Sequence, residues 1–114
     1  MPTRYRHLRL THSKDIRAVF RAGARVNAPF LRVIYKKTDL PYPRLCVQVS
    51  KKVSKKAVVR NRIRRRTKEA FRMPMAQAQQ GVDMVILARR DVADMPWPEL
   101  AALGERLMAK VVSA

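Results

Sequence analysis

The chain has 114 residues, with 26 Lys plus Arg against 8 Asp plus Glu, a formal charge of +18 and 47% hydrophobic residues. That length predicts one domain spanning 1–114, and the apolar content is enough for a core, which excludes a disordered basic tail. The single Cys46 excludes an internal disulfide and a zinc site built on cysteine pairs, and it fits a reducing compartment.

In chain order, Ser13 precedes Lys14-Asp15-Ile16-Arg17-Ala18-Val19-Phe20-Arg21-Ala22, and Gly23 follows. An N-cap, an acidic first turn, an apolar stripe and a C-cap predict a short helix. Phe30 to Lys36 then alternates, with Leu31, Val33 and Tyr35 on one face and Phe30, Arg32, Ile34 and Lys36 on the other. Arg44 to Ser50 alternates likewise, setting Leu45, Val47 and Val49 against Arg44, Cys46, Gln48 and Ser50. The turn-rich segment Thr38 to Pro43 predicts that these two strands form an antiparallel hairpin. Their inner face is Leu31, Val33, Tyr35, Leu45, Val47 and Val49.

From Lys56 to Arg72 the period is helical. On a wheel of ~100° per residue, Val59, Ile63, Thr67, Ala70 and Phe71 share one stripe. Asn61, Arg65, Lys68 and Arg72 lie opposite, Arg62 and Arg64 fall near the flanks, and Arg60 and Arg66 border the stripe and are expected to snorkel outward. Met73 to Gln80, with Pro74, reads as a loop. Gly81 to Ala88 predicts a central strand, and Pro98 to Val112 a helix carrying Leu100, Leu103, Leu107, Met108 and Val111. The expected fold is α+β, a sandwich of one sheet with helices packed on it.

Charge is unevenly placed along this order. Residues 1–50 carry 11 basic and 2 acidic groups, residues 51–72 carry 11 and 1, and residues 73–114 carry 4 and 5. The +10 block contains Lys51, Lys52, Lys55 and Lys56, then Arg60, Asn61, Arg62, Arg64, Arg65, Arg66 and Lys68. Its guanidinium forks suit phosphate oxygens, and Glu69 alone offers little internal pairing, so a polyanionic partner is expected.

Asn61 is almost the only base-edge reader on this helix, which favours backbone and shape binding over major-groove readout. A second surface is the mixed face of the sheet. There Phe30, Arg32, Ile34 and Gln48 meet Ile16 and Phe20, a set suited to stacking and tracking a single strand. The competing reading makes Ile16 and Phe20 simple core residues.

A protein-side catalytic centre is not expected. His7 and His12 sit among cations, Cys46 reads as a small packing residue, and the carboxylates are too scattered to hold a metal. Glycine occurs only at 23, 81 and 104, leaving no phosphate-cradling loop. The first residues lack an apolar signal core and no run approaches the ~18 residues of a membrane span, so a cytoplasmic location without membrane contact is expected.

The block Ser50-Lys51-Lys52-Val53 through Ala57-Val58-Val59-Arg60-Asn61-Arg62-Ile63-Arg64-Arg65 to Glu69-Ala70-Phe71-Arg72 resembles the protein subunit of bacterial ribonuclease P. Supporting matches lie in the Ser13 to Gly23 helix and in Asp83-Met84-Val85-Ile86-Leu87-Ala88-Arg89. The resemblance implies an αβββαβα sandwich with a left-handed βαβ crossover, whereas general handedness statistics would predict a right-handed one. It implies an endoribonuclease holoenzyme in which the catalytic RNA subunit, with bound Mg2+, removes the 5′ leader of precursor tRNA. No further protein partner is implied. By position, Arg60, Asn61 and Arg62, with Arg64, Arg65, Arg66 and Lys68, would face that RNA, while Ile16, Phe20 and Ile34 would face a cleft for the leader. Members of the family often carry aromatic residues where this chain has Ile16 and Ile34, which leaves Phe20 and Phe30 as its flat surfaces. A ribosomal or RNA-chaperone-type basic protein is the alternative of similar charge and fold.

Overall fold

The structure, a computed structural model, describes residues 9–114; His7 lies outside them. The elements are helix α1 (Ser13–Ala22), strands β1 (Ala24–Asn27), β2 (Leu31–Lys37) and β3 (Pro43–Gln48), helix α2 (Ala57–Gln77), strand β4 (Val82–Ala88), a 3-10 turn (Arg90–Ala93) and helix α3 (Trp97–Ser113). This is the expected αβββαβα order.

The sheet runs β1-β2-β4-β3, with β2 antiparallel to both β1 and β4 and β3 parallel to β4. The predicted hairpin of β2 with β3 therefore does not form. β4, buried at all but one position and apolar on both faces apart from Asp83, takes the place between them, where each face is covered and each edge is paired. The connection from β2 to β3 passes the start of β4 instead, held by the Thr38 N–H donating to the Gly81 carbonyl at 3.0 Å. β1 has four residues with only Val26 partly buried, too short to show an alternation.

One face of the sheet aligns Val26, Val33, Ile86 and Val47 across all four strands, and Tyr35, Met84 and Leu45 in the next row. Helices α2 and α3 close over it with Ile63, Phe71, Leu100 and Leu107, all almost completely buried. The predicted inner face holds: Leu31, Val33, Leu45, Val47 and Val49 are buried in this core and Tyr35 packs against it half-buried. On the opposite face α1 covers Ile34 and Val85 with Val19, which has no exposed surface. Bidentate bonds of 2.8 and 2.7 Å from Arg44 to Asp83, and a 3.5 Å contact to Asp15, tie α1 to β3 and β4.

The helix ends differ from expectation in three places. Ser13 is the first helical residue of α1 rather than its N-cap; His12 holds the capping position and makes no side-chain cap bond. Gly23 has φ −78° and ψ 150°, an extended conformation rather than a left-handed cap. Its role is steric, because a Cβ there would lie 2.9 Å from both the Ile34 side chain and the Tyr35 carbonyl oxygen. Helix α2 continues through Pro74 to Gln77 where a loop was predicted, since Met75 inserts into the core at 2% exposure and anchors the last turn. Among the described residues no helix is long and apolar enough to cross a membrane.

Candidate nucleic-acid interface

Helix α2 presents its stripe to the core as the wheel predicts, with Ile63, Thr67, Ala70 and Phe71 buried. Lys51, Lys52, Lys55 and Lys56 on the lead-in, and Asn61, Arg62, Arg65 and Lys68 on the helix, are exposed. Arg60 is half-buried and donates to the Ser54 carbonyl at 2.8 Å, which pins the lead-in to the first turn. Arg64 donates to Asn61 Oδ1 at 2.7 Å, so the amide positions a guanidinium as well as offering its own edge. Arg66 departs from the expected outward snorkel. Its guanidinium turns inward and donates to the carbonyls of Val92 and Ala93, at 2.8 and 2.9 Å, and of Met95. These oxygens belong to the segment joining β4 to α3, and a five-donor fork is the side chain that can satisfy several at once. Arg66 is thus a structural residue.

The second predicted surface needs two corrections. Ile34 is 2% exposed beneath α1 and supports the face from below. Phe30 precedes β2 in a bend and packs half-buried against the main core, because the alternation that placed it opposite starts only at Leu31. Ile16 is half-buried against the smaller cluster and Phe20 is 38% exposed on α1. Arg32, Leu87 and Gln48 form one cross-strand row on the α1 side of the sheet, Arg32 and Gln48 exposed and Leu87 partly buried between them.

At the end of that row the strands open into a cleft of about 690 Å3. Among the described residues, Arg32 from β2, Arg64 from α2 and Arg89 beyond β4 line it, together with Asn27, Gln48 and Ser50, and no carboxylate does. Asn27 Oδ1 accepts from Arg32 Nε at 2.9 Å and fixes that guanidinium's direction. The cleft joins members of both predicted sets, since Arg64 belongs to the helix and Arg32 and Gln48 to the sheet. Asn27, Ser50 and Arg89 were not predicted for it. For Arg89 the available signal was its place just beyond a buried strand, where the chain must return to solvent. The field of Arg64 and Lys68 reaches Cys46 on β3 and pulls its thiol pKa down, yet burial is the larger effect and the pKa is raised overall.

A basic cleft continuous with a basic helix face is what an RNA-binding protein requires, and comparison with known proteins identifies which kind. The ribonuclease P family model matches residues 5–112. The chain belongs to the ribonuclease P protein family. The ribonuclease P protein component of Nitrosococcus oceani is 36% identical over 101 residues, covering 89% of this chain and 84% of the relative. That of Stutzerimonas stutzeri is 37% identical over 97 residues, covering 84% and 73%. The solved structure of the Staphylococcus aureus ribonuclease P protein superposes with a TM-score of 0.75 at 24% identity, over 92% of this chain and 94% of that one. Membership makes the chain a component of an endoribonuclease holoenzyme acting in tRNA 5′ processing, with RNA as its partner in a ribonucleoprotein. The ribosomal alternative gives way to this match.

Proposed function

We propose that the chain, as a single cytoplasmic RNA-binding domain, binds the catalytic RNA subunit through the exposed face of α2 and its lead-in, and the 5′ leader of precursor tRNA through the cleft and the adjoining α1 face. The observation that carries this reading is the cleft itself: arginines from β2, α2 and the link beyond β4 converge with no carboxylate among the described lining residues, and Arg64 connects them to the α2 cations. Such a surface tracks phosphates independently of sequence. Lys51, Lys52, Lys55, Lys56, Asn61, Arg62, Arg65 and Lys68 would meet the RNA subunit. Arg32, Gln48, Arg89 and the exposed ring of Phe20 would meet the leader. Mg2+ supplies Lewis-acid chemistry when bound to the RNA, and the protein's cations offset phosphate repulsion between the two RNAs, lowering the magnesium needed to bring them together. No further protein partner is required.

Reconstitution tests this. The RNA subunit and a precursor tRNA are incubated at low magnesium with and without the protein, and leader removal is followed. Stimulation that is lost on Arg32→Ala plus Arg89→Ala supports the reading. Equal rates with and without the protein would overturn it.

A further inference from the structure

The only tryptophan of the chain, Trp97, is the first residue of α3 and is 43% exposed. It lines a shallow groove of about 390 Å3 with Arg62, Arg65, Arg66 and Glu69. The backbone leading into the indole is tied to α2, since Arg66 holds the carbonyls of Val92, Ala93 and Met95, the segment that precedes Trp97. Its one carboxylate is engaged, since Glu69 accepts from Arg72 Nε at 2.8 Å. Arg62 and Arg65 stand at i and i+3, adjacent on the helix surface and open to solvent, and Arg62 has only a loose 3.9 Å pairing with the exposed Asp94. A water-facing indole on an anchored backbone, beside two available guanidiniums, matches the two parts of a nucleotide, a π-face and a phosphate.

We propose that Trp97 with Arg62 and Arg65 forms a nucleotide site, on which an unpaired base of the RNA partner stacks while its phosphate is held by the two guanidiniums. The site rests on the reading of α2 as an RNA-binding helix and adds to it a contact that only an unpaired nucleotide can make. It lies on the side of α2 that meets α3, away from the cleft lined by Arg64. Stacking is tolerant of base identity, so the site recognises strandedness rather than sequence.

Because Trp97 is the sole tryptophan, its emission reports on this site alone. The intact protein is titrated at low ionic strength with an oligoadenylate and with a blunt RNA duplex of equal length, following both emission and retention on a filter. The single strand is expected to quench the emission, and the duplex to leave it nearly unchanged. Trp97→Ala is expected to weaken single-strand binding about tenfold, and Trp97→Phe to stay within about twofold of the parent, in keeping with the usual size of base–aromatic stacking. Circular dichroism of both variants checks the fold. Filter retention with unchanged emission and a Trp97→Ala variant that binds like the parent would overturn the site while leaving the wider RNA-binding reading intact. Equal quenching by duplex, or emission that responds to a protein ligand and to no RNA, would overturn it too. Absence of any RNA retention would overturn both.

Discussion

Arg65 and Arg66 are neighbours of identical chemistry with opposite employment. The guanidinium of Arg66 satisfies carbonyls of the 3-10 turn and of its link to α3, whereas Arg65 is exposed. Removing a charged donor from partly buried acceptors costs about 2 kcal/mol, while an exposed side chain away from such contacts changes stability by at most about 0.5 kcal/mol. Arg66→Ala should therefore lower the urea midpoint clearly, and Arg65→Ala should leave it in place while weakening RNA binding and reducing the log-log salt slope by about one. A destabilised Arg65→Ala with an unaffected Arg66→Ala would reverse the assignment of the two side chains. Nothing in the sequence separates this pair beyond their angle on the wheel, because the acceptors come from residues 92–95, some 27 positions away. Cys46 was more legible, since alternation alone placed it on the α1 side of the sheet as a packing residue. Its thiol is raised by burial against the lowering influence of Lys68, Gln48 and Arg64. Above the pH at which an unfolded thiol ionises, the unfolded chain releases a proton that the folded chain retains, so this residue's contribution to stability falls as pH rises from there. Alkylation by iodoacetamide should accordingly be slow in the folded protein and accelerate in denaturant, and Lys68→Ala should slow the folded reaction further. Folded and unfolded rates that coincide would contradict the burial of the thiol.

Between elements, the seam of α2 with α3 shows how a local rule can be broken for packing. Pro74 has no N–H, so the carbonyl of Ala70, four residues earlier, has no partner from it within the helix. That is the carbonyl Gly104 of α3 approaches, where a Cβ would stand 2.5 Å from Ala70 O and 3.3 Å from Ala70 Cβ. Close backbone approach then permits a Cα–H contact to the freed oxygen. Gly104→Ala gains about 1 kcal/mol of helix propensity but forces backbone apart at a cost of about 1 to 3 kcal/mol. The variant should be less stable than the parent by up to about 2 kcal/mol in urea unfolding; an increase in stability would mean that the seam yields freely. Faces and element types were legible from periodicity here, including the central, doubly buried β4. Strand order was not, because alternation in β2 and β3 states which side each buries and leaves its neighbour open. The parallel β3–α2–β4 crossover consequently appeared from sequence as a hairpin with a helix after it.

At the scale of the whole molecule, the +18 charge is sorted rather than spread. The nearly neutral C-terminal segment supplies β4 and α3, which fill and cover the core, while the densest block of cations occupies the exposed side of α2 and its lead-in, Arg32 and Arg89 join Arg64 at the cleft, and Lys14, Arg17, Arg21 and Arg25 stand exposed on α1 and β1. Like charges crowded on those surfaces repel in the free protein, and RNA phosphates remove that repulsion on binding. Dissolved salt therefore acts in opposite directions on the two processes. Raising salt screens the self-repulsion of the free protein and should raise its melting temperature. The same increase should weaken RNA binding, with a log-log slope on the order of −4 to −5 if about six phosphates are neutralised. Parallel thermal melts and binding titrations across one series of chloride concentrations check both signs. A melting temperature that falls with salt would locate the stabilising energy in ion pairs such as Arg44 with Asp83 instead of relief of repulsion. A flat binding curve would remove the electrostatic basis for assigning the α2 face and the cleft to RNA.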